Sequence, residues 1–244
     1  MSDVIFKKVF ESVFKIGLDF IKTLLDNNHD IIGQLICIQL NLEFQTQLKE
    51  FKIELEEFYF NDLRILIWPS IQSSINAHIH SLRRLGSGLN SVDVESHHHH
   101  FITRRYSEFS LSLLILNQRQ EDQMLTNSLY RLKSEFLNFL QIYQQKIKLI
   151  KNKFIFLINN YNLILINYQD YLNLNLVKVE YQIIESLLNQ NIEEFINEEI
   201  NYNFNDLVAL MEPIIDGKIS VEQISAGIKI ILIQIIKLII INFR

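Results

Sequence analysis

Apolar residues return along this chain at steps of three and four, the spacing of helices that bury one face. The longest such run lies between Glu121 and Tyr171. There Leu125, Leu129, Leu132, Phe136, Phe139, Tyr143, Ile147, Ile150, Phe154, Leu157, Tyr161, Ile164 and Tyr168 keep the step, and no Gly or Pro interrupts it. One stutter, two consecutive steps of four at Phe139–Tyr143–Ile147, locally unwinds a supercoil. The span predicts one helix or two nearly collinear ones, about 70 Å long at 1.5 Å per residue.

The same reasoning divides the rest. Residues 3–25 place Val4, Ile5, Val9, Phe10, Val13 and Phe14 among Lys and Glu, an amphipathic helix that Asp26-Asn27-Asn28 ends. Residues 30–50 predict a second, with Leu35, Ile38, Leu42 and Leu48 apolar. Residues 52–85 predict a third, bent at Pro69, which lacks an N–H and crowds the preceding turn. Residues 86–100 carry two glycines, several serines and a run of four histidines, and predict a loop. Residues 101–118 follow, with Ile102, Tyr106, Phe109, Leu113 and Leu116 on one stripe. Thr103 is placed to cap this helix, and Arg104 and Glu108, four apart, to pair on its outside. Helices are also expected over 174–200, over 204–212 and over the Ile-rich stretch 220–243, with a turn at Asp216-Gly217. The expected organisation is an N-terminal bundle (1–85), the loop (86–100) and an elongated C-terminal bundle (101–244) that is either separate from the first or continuous with it.

Composition supports an all-α fold. Of 244 residues, 48% are hydrophobic, which supplies a sizeable core, and six Gly and two Pro are few breakers. The net charge of −5 argues against nucleic acid as a partner. The lysines are read as spread out, without a polybasic membrane patch. Cys37 is the single cysteine, set in Leu35-Ile36-Cys37-Ile38, so it predicts a buried inert thiol and no intrachain disulfide. The N-terminus shows no secretory signal, and a cytosolic location follows.

The polar residues offer little chemistry. His97–His100 is a flexible row without preset tetrahedral geometry, so it predicts a solvated, mobile loop and no metal site. His78 and His80 fall on different helix faces, and His29 predicts a capping or surface residue. Glu54, Glu56 and Glu57 predict a solvated helix start. Ser110 and Ser112 lack the turn of a nucleophile elbow, and no phosphate-binding glycine loop is present. No cofactor is expected. Lys229 and Lys237 count against a membrane span at 220–243, each costing about 2.5–3.5 kcal/mol near a helix centre. A bundle helix with one wet stripe fits that segment better, and membrane anchoring through it is the alternative.

Three segments carry a resemblance, in the order of the chain, and a shorter fourth accompanies them. Ile102-Thr103-Arg104-Arg105-Tyr106-Ser107-Glu108-Phe109 closely resembles the I-T-R-R-Y-A-E-F signature of the Vps fifty-two family, a subunit of the Golgi-associated retrograde protein (GARP) complex and its endosomal relative. Leu66-Ile67-Trp68-Pro69 is similar to that family's L-L-W-P, with a helix after it ending in Ser81-Leu82-Arg83. Phe156-Leu157-Ile158-Asn159-Asn160-Tyr161 is similar to its F-L-I-N-N-Y, and Asp206-Leu207-Val208-Ala209 falls where it has G-L-V-A. The resemblance covers roughly residues 29–213.

It implies an elongated rod of antiparallel helices, like the legs of multisubunit vesicle tethers. The role it implies is a non-enzymatic scaffold in endosome-to-Golgi retrograde transport, peripheral on trans-Golgi and endosome membranes. The implied partners are companion tether subunits, a Golgi Rab GTPase and SNAREs. The N-terminal coiled-coil region used by that family for assembly is not in the matched part. Arg104, Arg105 and the edge of Tyr106 are the candidate partner-facing residues, with a role in orienting the loop as the alternative. Trp68 and Pro69 are expected to form a packed kink, with a binding site as the alternative; Asn159 and Asn160 are expected to fix helix register or face solvent, and Glu108, Phe109 and Tyr161 are expected to be structural signature positions.

Overall fold

The computed structural model describes residues 2–50, 56–88, 98–119 and 121–215, with the side chains of 2–7, 56–58 and 206–215 left aside. The described residues form seven α-helices and no strand: α1 (Ser2–Leu25), α2 (Ile31–Glu50), α3 (Glu56–Gly88), α4 (Phe101–Asn117), α5 (Gln123–Lys146), α6 (Ile150–Tyr168) and α7 (Asn175–Ile215). The chain is an all-α helical bundle. The stretch 220–243 and the question of its packing or anchoring fall outside the described residues. Among the described residues no helix is long and apolar enough to cross a membrane.

Side-chain pairings give the direction of each helix. Asn117–Thr126, Tyr106–Phe136 and His100–Phe139 make α4 and α5 an antiparallel hairpin. Thr103–Asn160, Ser107–Asn167 and Ser110–Tyr168 run in step, so α6 lies parallel to α4 and opposite to α5. Gln72–Ser128, Asn76–Arg131 and Arg83–Glu135 set α3 parallel to α5. Phe154–Phe195 and Lys151–Glu199 set α7 antiparallel to α6. The collinear reading of residues 121–171 is therefore wrong. Ile147 (φ −75°, ψ 128°) and Leu149 (φ −80°, ψ 124°) are extended, and the chain reverses between them. Ile147 is buried in the turn at 1% exposure, so the apolar step continues across the reversal and hides it from the sequence.

The core runs through the middle of the bundle on Ile71, Ile75, Leu113, Phe136, Phe139, Leu140, Phe156 and Ile164, all at most 2% exposed. Tyr106 and Phe136 stack with centroids 3.9 Å apart, and Tyr143 stacks on Phe156 at 4.8 Å. α3 continues through Pro69 and three residues past the expected loop boundary, to Gly88. Pro69 cannot donate to the Ile65 carbonyl, but Ile65 is exposed, so water can take that acceptor.

Local capping explains the helix starts. Asp30 accepts the Gly33 N–H at 3.0 Å, and a side chain at position 33 would press on that carboxylate and displace the cap. Asp122 caps α5 by accepting from Met124 N (2.8 Å) and Leu125 N (3.3 Å), and its other oxygen holds Arg64 at 3.0 Å. At the opposite end of the chain, α7 kinks at Phe204 (φ −132°, ψ 31°), where the separate helices over 174–200 and 204–212 were expected, and continues past Pro213 to Ile215.

Two expectations on the first helices change. Cys37 is exposed, because α2 packs through Ile31, Gln34, Leu35, Ile38 and Asn41, and Cys37 falls outside that stripe. α1 leans on α3 through Phe14 and Tyr59 (5.0 Å), while Val9, Val13, Ile16, Phe20 and Leu24 on its other side are more than half exposed.

Candidate functional site

The start of α4 is the most polar junction of the bundle interior. His100, not Thr103, is the N-cap: its Nδ1 accepts the Ile102 N–H at 3.2 Å. Its ring lies against Phe101, Phe139 and Tyr143, with centroids 4.5–5.2 Å away. Burial among these rings lowers its pKa from 6.5 by disfavouring the imidazolium. His100 is thus not part of a mobile loop. His98 and His99 are exposed, and His97 lies outside the described residues. Among the described residues no group of three His, Cys, Asp or Glu is placed to hold a metal ion.

Thr103 sits one turn further in, at 0% exposure, and donates its hydroxyl to Asn160 Oδ1. The same oxygen accepts the His100 N–H at 3.0 Å, and Asn160 Nδ2 donates to the Phe156 carbonyl at 2.7 Å. Asn160, fully buried, is therefore a polar bolt between α6 and the first turn of α4. Asn159, its neighbour, is half-buried. Two more polar contacts continue down the seam. Asn167 Nδ2 donates to Ser107 Oγ. Ser110 donates to the Tyr106 carbonyl at 2.6 Å, which leaves the Tyr168 hydroxyl to donate to Ser110 at 2.7 Å. Burial pushes the Tyr161 phenol up to about 12 and raises the Tyr106 and Tyr168 phenols as well, so all three stay neutral hydrogen-bonding groups.

The candidate partner-facing residues separate. Arg104 and Arg105 are exposed. Arg104 pairs with Glu108 at 3.0 Å, and the Arg105 guanidinium stands 5.4 Å over the Phe101 ring. Tyr106 does not join them: it is 8% exposed and stacked in the core, because one residue further along α4 turns its side chain toward Phe136. Phe109 is half-buried with its ring 5.2 Å from His78, whose pKa is lowered by its burial and by His29. Trp68 is 7% exposed with its Nε1 unpaired, and Pro69 beside it is exposed. Both border a shallow groove lined by Asn61, Arg64, Ile65, Gln72 and Met124.

Sequence reasoning missed a further element. Lys133, 9% exposed, puts its ammonium 2.8 Å from both oxygens of Glu180 and so ties α5 to α7. The sequence signal was a lysine on the apolar side of α5, next to Leu132 and Phe136.

Nothing in this arrangement pairs a nucleophile with a base. The polar groups are spent on helix register, and the surface offers charge and shape. The family model described as "Vps52, C-terminal" matches residues 1–196. The match starts well before the first signature segment and stops short of Asp206–Ala209, the weakest of the sequence parallels. The chain is similar to the vacuolar protein sorting-associated protein 52 homolog of Homo sapiens, 28% identical over 209 residues that are 85% of this chain and 28% of that protein. It is similar to vacuolar protein sorting-associated protein 52 A of Arabidopsis thaliana, 24% identical over 208 residues, 85% of this chain and 29% of that protein. It is also similar to the Schizosaccharomyces pombe protein 52 of the same description, 26% identical over 162 residues, 66% of this chain and 32% of that one. The chain thus spans less than a third of the length of these relatives. No solved structure matches it.

Proposed function

The chain belongs to the Vps52 family through its C-terminal domain, and from that premise we propose that it is a non-enzymatic scaffold subunit of a vesicle-tethering complex in endosome-to-Golgi retrograde transport. The observation that carries this reading is the family match over residues 1–196, whose signature segments form the bundle's interior seam. Within Ile102–Phe109, the buried Thr103, Tyr106 and Ser107 hold α4 to α5 and α6, while Arg104, Arg105 and Glu108 face outward. That is how a scaffold uses a short motif: one side fixes shape and the other offers contacts. The relatives' printed descriptions, vacuolar protein sorting, support a trafficking role. A peripheral place on trans-Golgi and endosome membranes, companion tether subunits, a Golgi Rab GTPase and SNAREs follow from the tethering reading.

The test is replacement in the fission-yeast relative. Its matching C-terminal part is exchanged for this chain, and vacuolar sorting and co-purification of the companion subunits are scored. Restored sorting with the subunits co-purifying is expected. A stable chimera that recovers none of those subunits overturns the proposal.

A further inference from the structure

Four lysines in residues 146–153 form a basic cluster that the expectation of no polybasic membrane patch overlooked, and the fold adds distant arginines to it. At one end of the bundle meet the C-terminus of α3, the N-terminus of α4 and the turn between α5 and α6. Gly86 lies against Ile142, His100 against Phe139 and Tyr143, and Tyr143 against Phe156. These ends bring Arg83, Arg84, Arg104, Arg105, Lys146, Lys148, Lys151 and Lys153 together, eight of the 23 lysines and arginines in a chain of net charge −5. No Asp or Glu occurs in residues 82–88, 98–105 or 136–153, while Asp93 and Glu95 belong to the connector between α3 and α4, outside the described residues. Glu135, Glu108 and Glu199 each engage one of these cations. Glu193, Glu194 and Glu198 stand on α7, so the cationic face is the one made by α3, α4 and the α5–α6 turn.

The same end exposes large apolar side chains. Leu149 is 64% exposed, Ile150 54% and Phe101 59%. Leu149 and Ile150 sit inside Lys146-Ile147-Lys148-Leu149-Ile150-Lys151-Asn152-Lys153, a turn in which lysines flank two protruding aliphatics. Leu149 and Ile150 stand where the chain reverses between α5 and α6, at the extremity of the bundle.

We propose that this end docks directly on an anionic lipid surface, the cations meeting headgroups while Leu149, Ile150 and Phe101 enter the interface. Charge complementarity selects a negatively charged partner. The outward-pointing apolar residues select a bilayer over an acidic protein segment, which needs a groove for specific seating. Aromatic and aliphatic side chains beside lysines are the pattern of interfacial binding. Clustered cations add attraction that decays within a Debye length of about 8 Å at physiological salt. The inference stands apart from the tethering reading, since it rests on charge and exposure alone.

The experiment is co-sedimentation of the whole chain with vesicles of phosphatidylcholine, alone or mixed with phosphatidylserine. Binding to the mixed vesicles, weakened by salt, is expected. Each basic residue near an anionic surface is worth about fivefold in affinity. Arg84→Gln with Lys146→Gln should therefore weaken binding about 25-fold. Leu149→Ser with Ile150→Ser should weaken it at unchanged charge. All four side chains are exposed, so helix content and melting temperature report whether folding is intact. Arg119→Gln with Arg131→Gln removes the same charge elsewhere and should leave binding as it was. The proposal is overturned by equal binding to both vesicle types, by no binding, or by anionic binding that both variants keep, which would place attachment in another segment.

Discussion

Asn160→Leu is the most searching perturbation of this bundle. Leucine keeps the branched outline of asparagine and suits a helix, so the change leaves no cavity, though its methyl groups are bulkier than the amide and add an overpacking cost of about 1 kcal/mol or more. It removes the acceptor for the Thr103 hydroxyl and the His100 N–H, and the donor to the Phe156 carbonyl. A donor left buried without a partner costs about 1–3 kcal/mol. Thr103 is fully buried and His100 is half-buried, so the two orphaned donors together should cost about 3–4 kcal/mol. The Phe156 carbonyl adds little, because it keeps its helical partner. Urea unfolding followed by helical circular dichroism reads the loss, as a lower midpoint at unchanged slope. Adding Thr103→Val should recover about half, since replacing both members of a buried pair by apolar groups is nearly neutral. A loss below about 1 kcal/mol, or strictly additive single variants, would refute the argument that Asn160 locks α4 to α6.

Other expectations can be checked with the same unfolding assay. Phe136→Ala removes a fully buried ring stacked on Tyr106 and should cost about 3–5 kcal/mol, whereas Phe109→Ala, half-buried, should cost about half of that. Arg104→Glu with Arg105→Glu should leave the melting temperature within about 2 °C, since the exposed Arg104–Glu108 pair contributes a few tenths of a kcal/mol, while binding of companion subunits falls. A large drop in melting temperature would instead make these arginines a clamp on the helix start. His100 is held neutral, so its folded pKa is below the unfolded 6.5 and the unfolded chain binds more protons in between. Stability should therefore fall as pH drops from about 6.5 toward the lower folded value, and His100→Asn, which can keep the cap, should flatten that dependence.

Helix identity was legible because each helix buries one side, and a 3.6-residue step writes that directly into the sequence. Direction was not. The reversal at Ile147–Leu149 uses no Gly or Pro, and Ile147 keeps its place in the apolar step while sitting in the turn. The signature at Ile102–Phe109 located the central junction, yet it misassigned two members. Thr103 looked like a cap and is a buried donor, and Tyr106 looked partner-facing and is core. The helix starts at Phe101 as expected, so the residue before it, His100, takes the cap, and Tyr106, already on the apolar stripe, is buried edge and all. Asn160 as a register-fixing residue was among the readings open from sequence. Its particular partners, His100 and Thr103, lie about sixty residues away and no local pattern names them.

The parallel pairing of α3 with α5 has a practical corollary. Gln72 with Ser128, Asn76 with Arg131 and Arg83 with Glu135 align these helices by side-chain recognition, not by the covalent path that joins them. The connecting sequence 89–97 therefore carries no register information, and lengthening a connector twofold costs only about 0.6 kcal/mol in closure entropy. This position should accept an inserted fluorescent protein or epitope. The chain cut there should reassemble from two co-expressed pieces, which would provide a split reporter for following the protein inside cells.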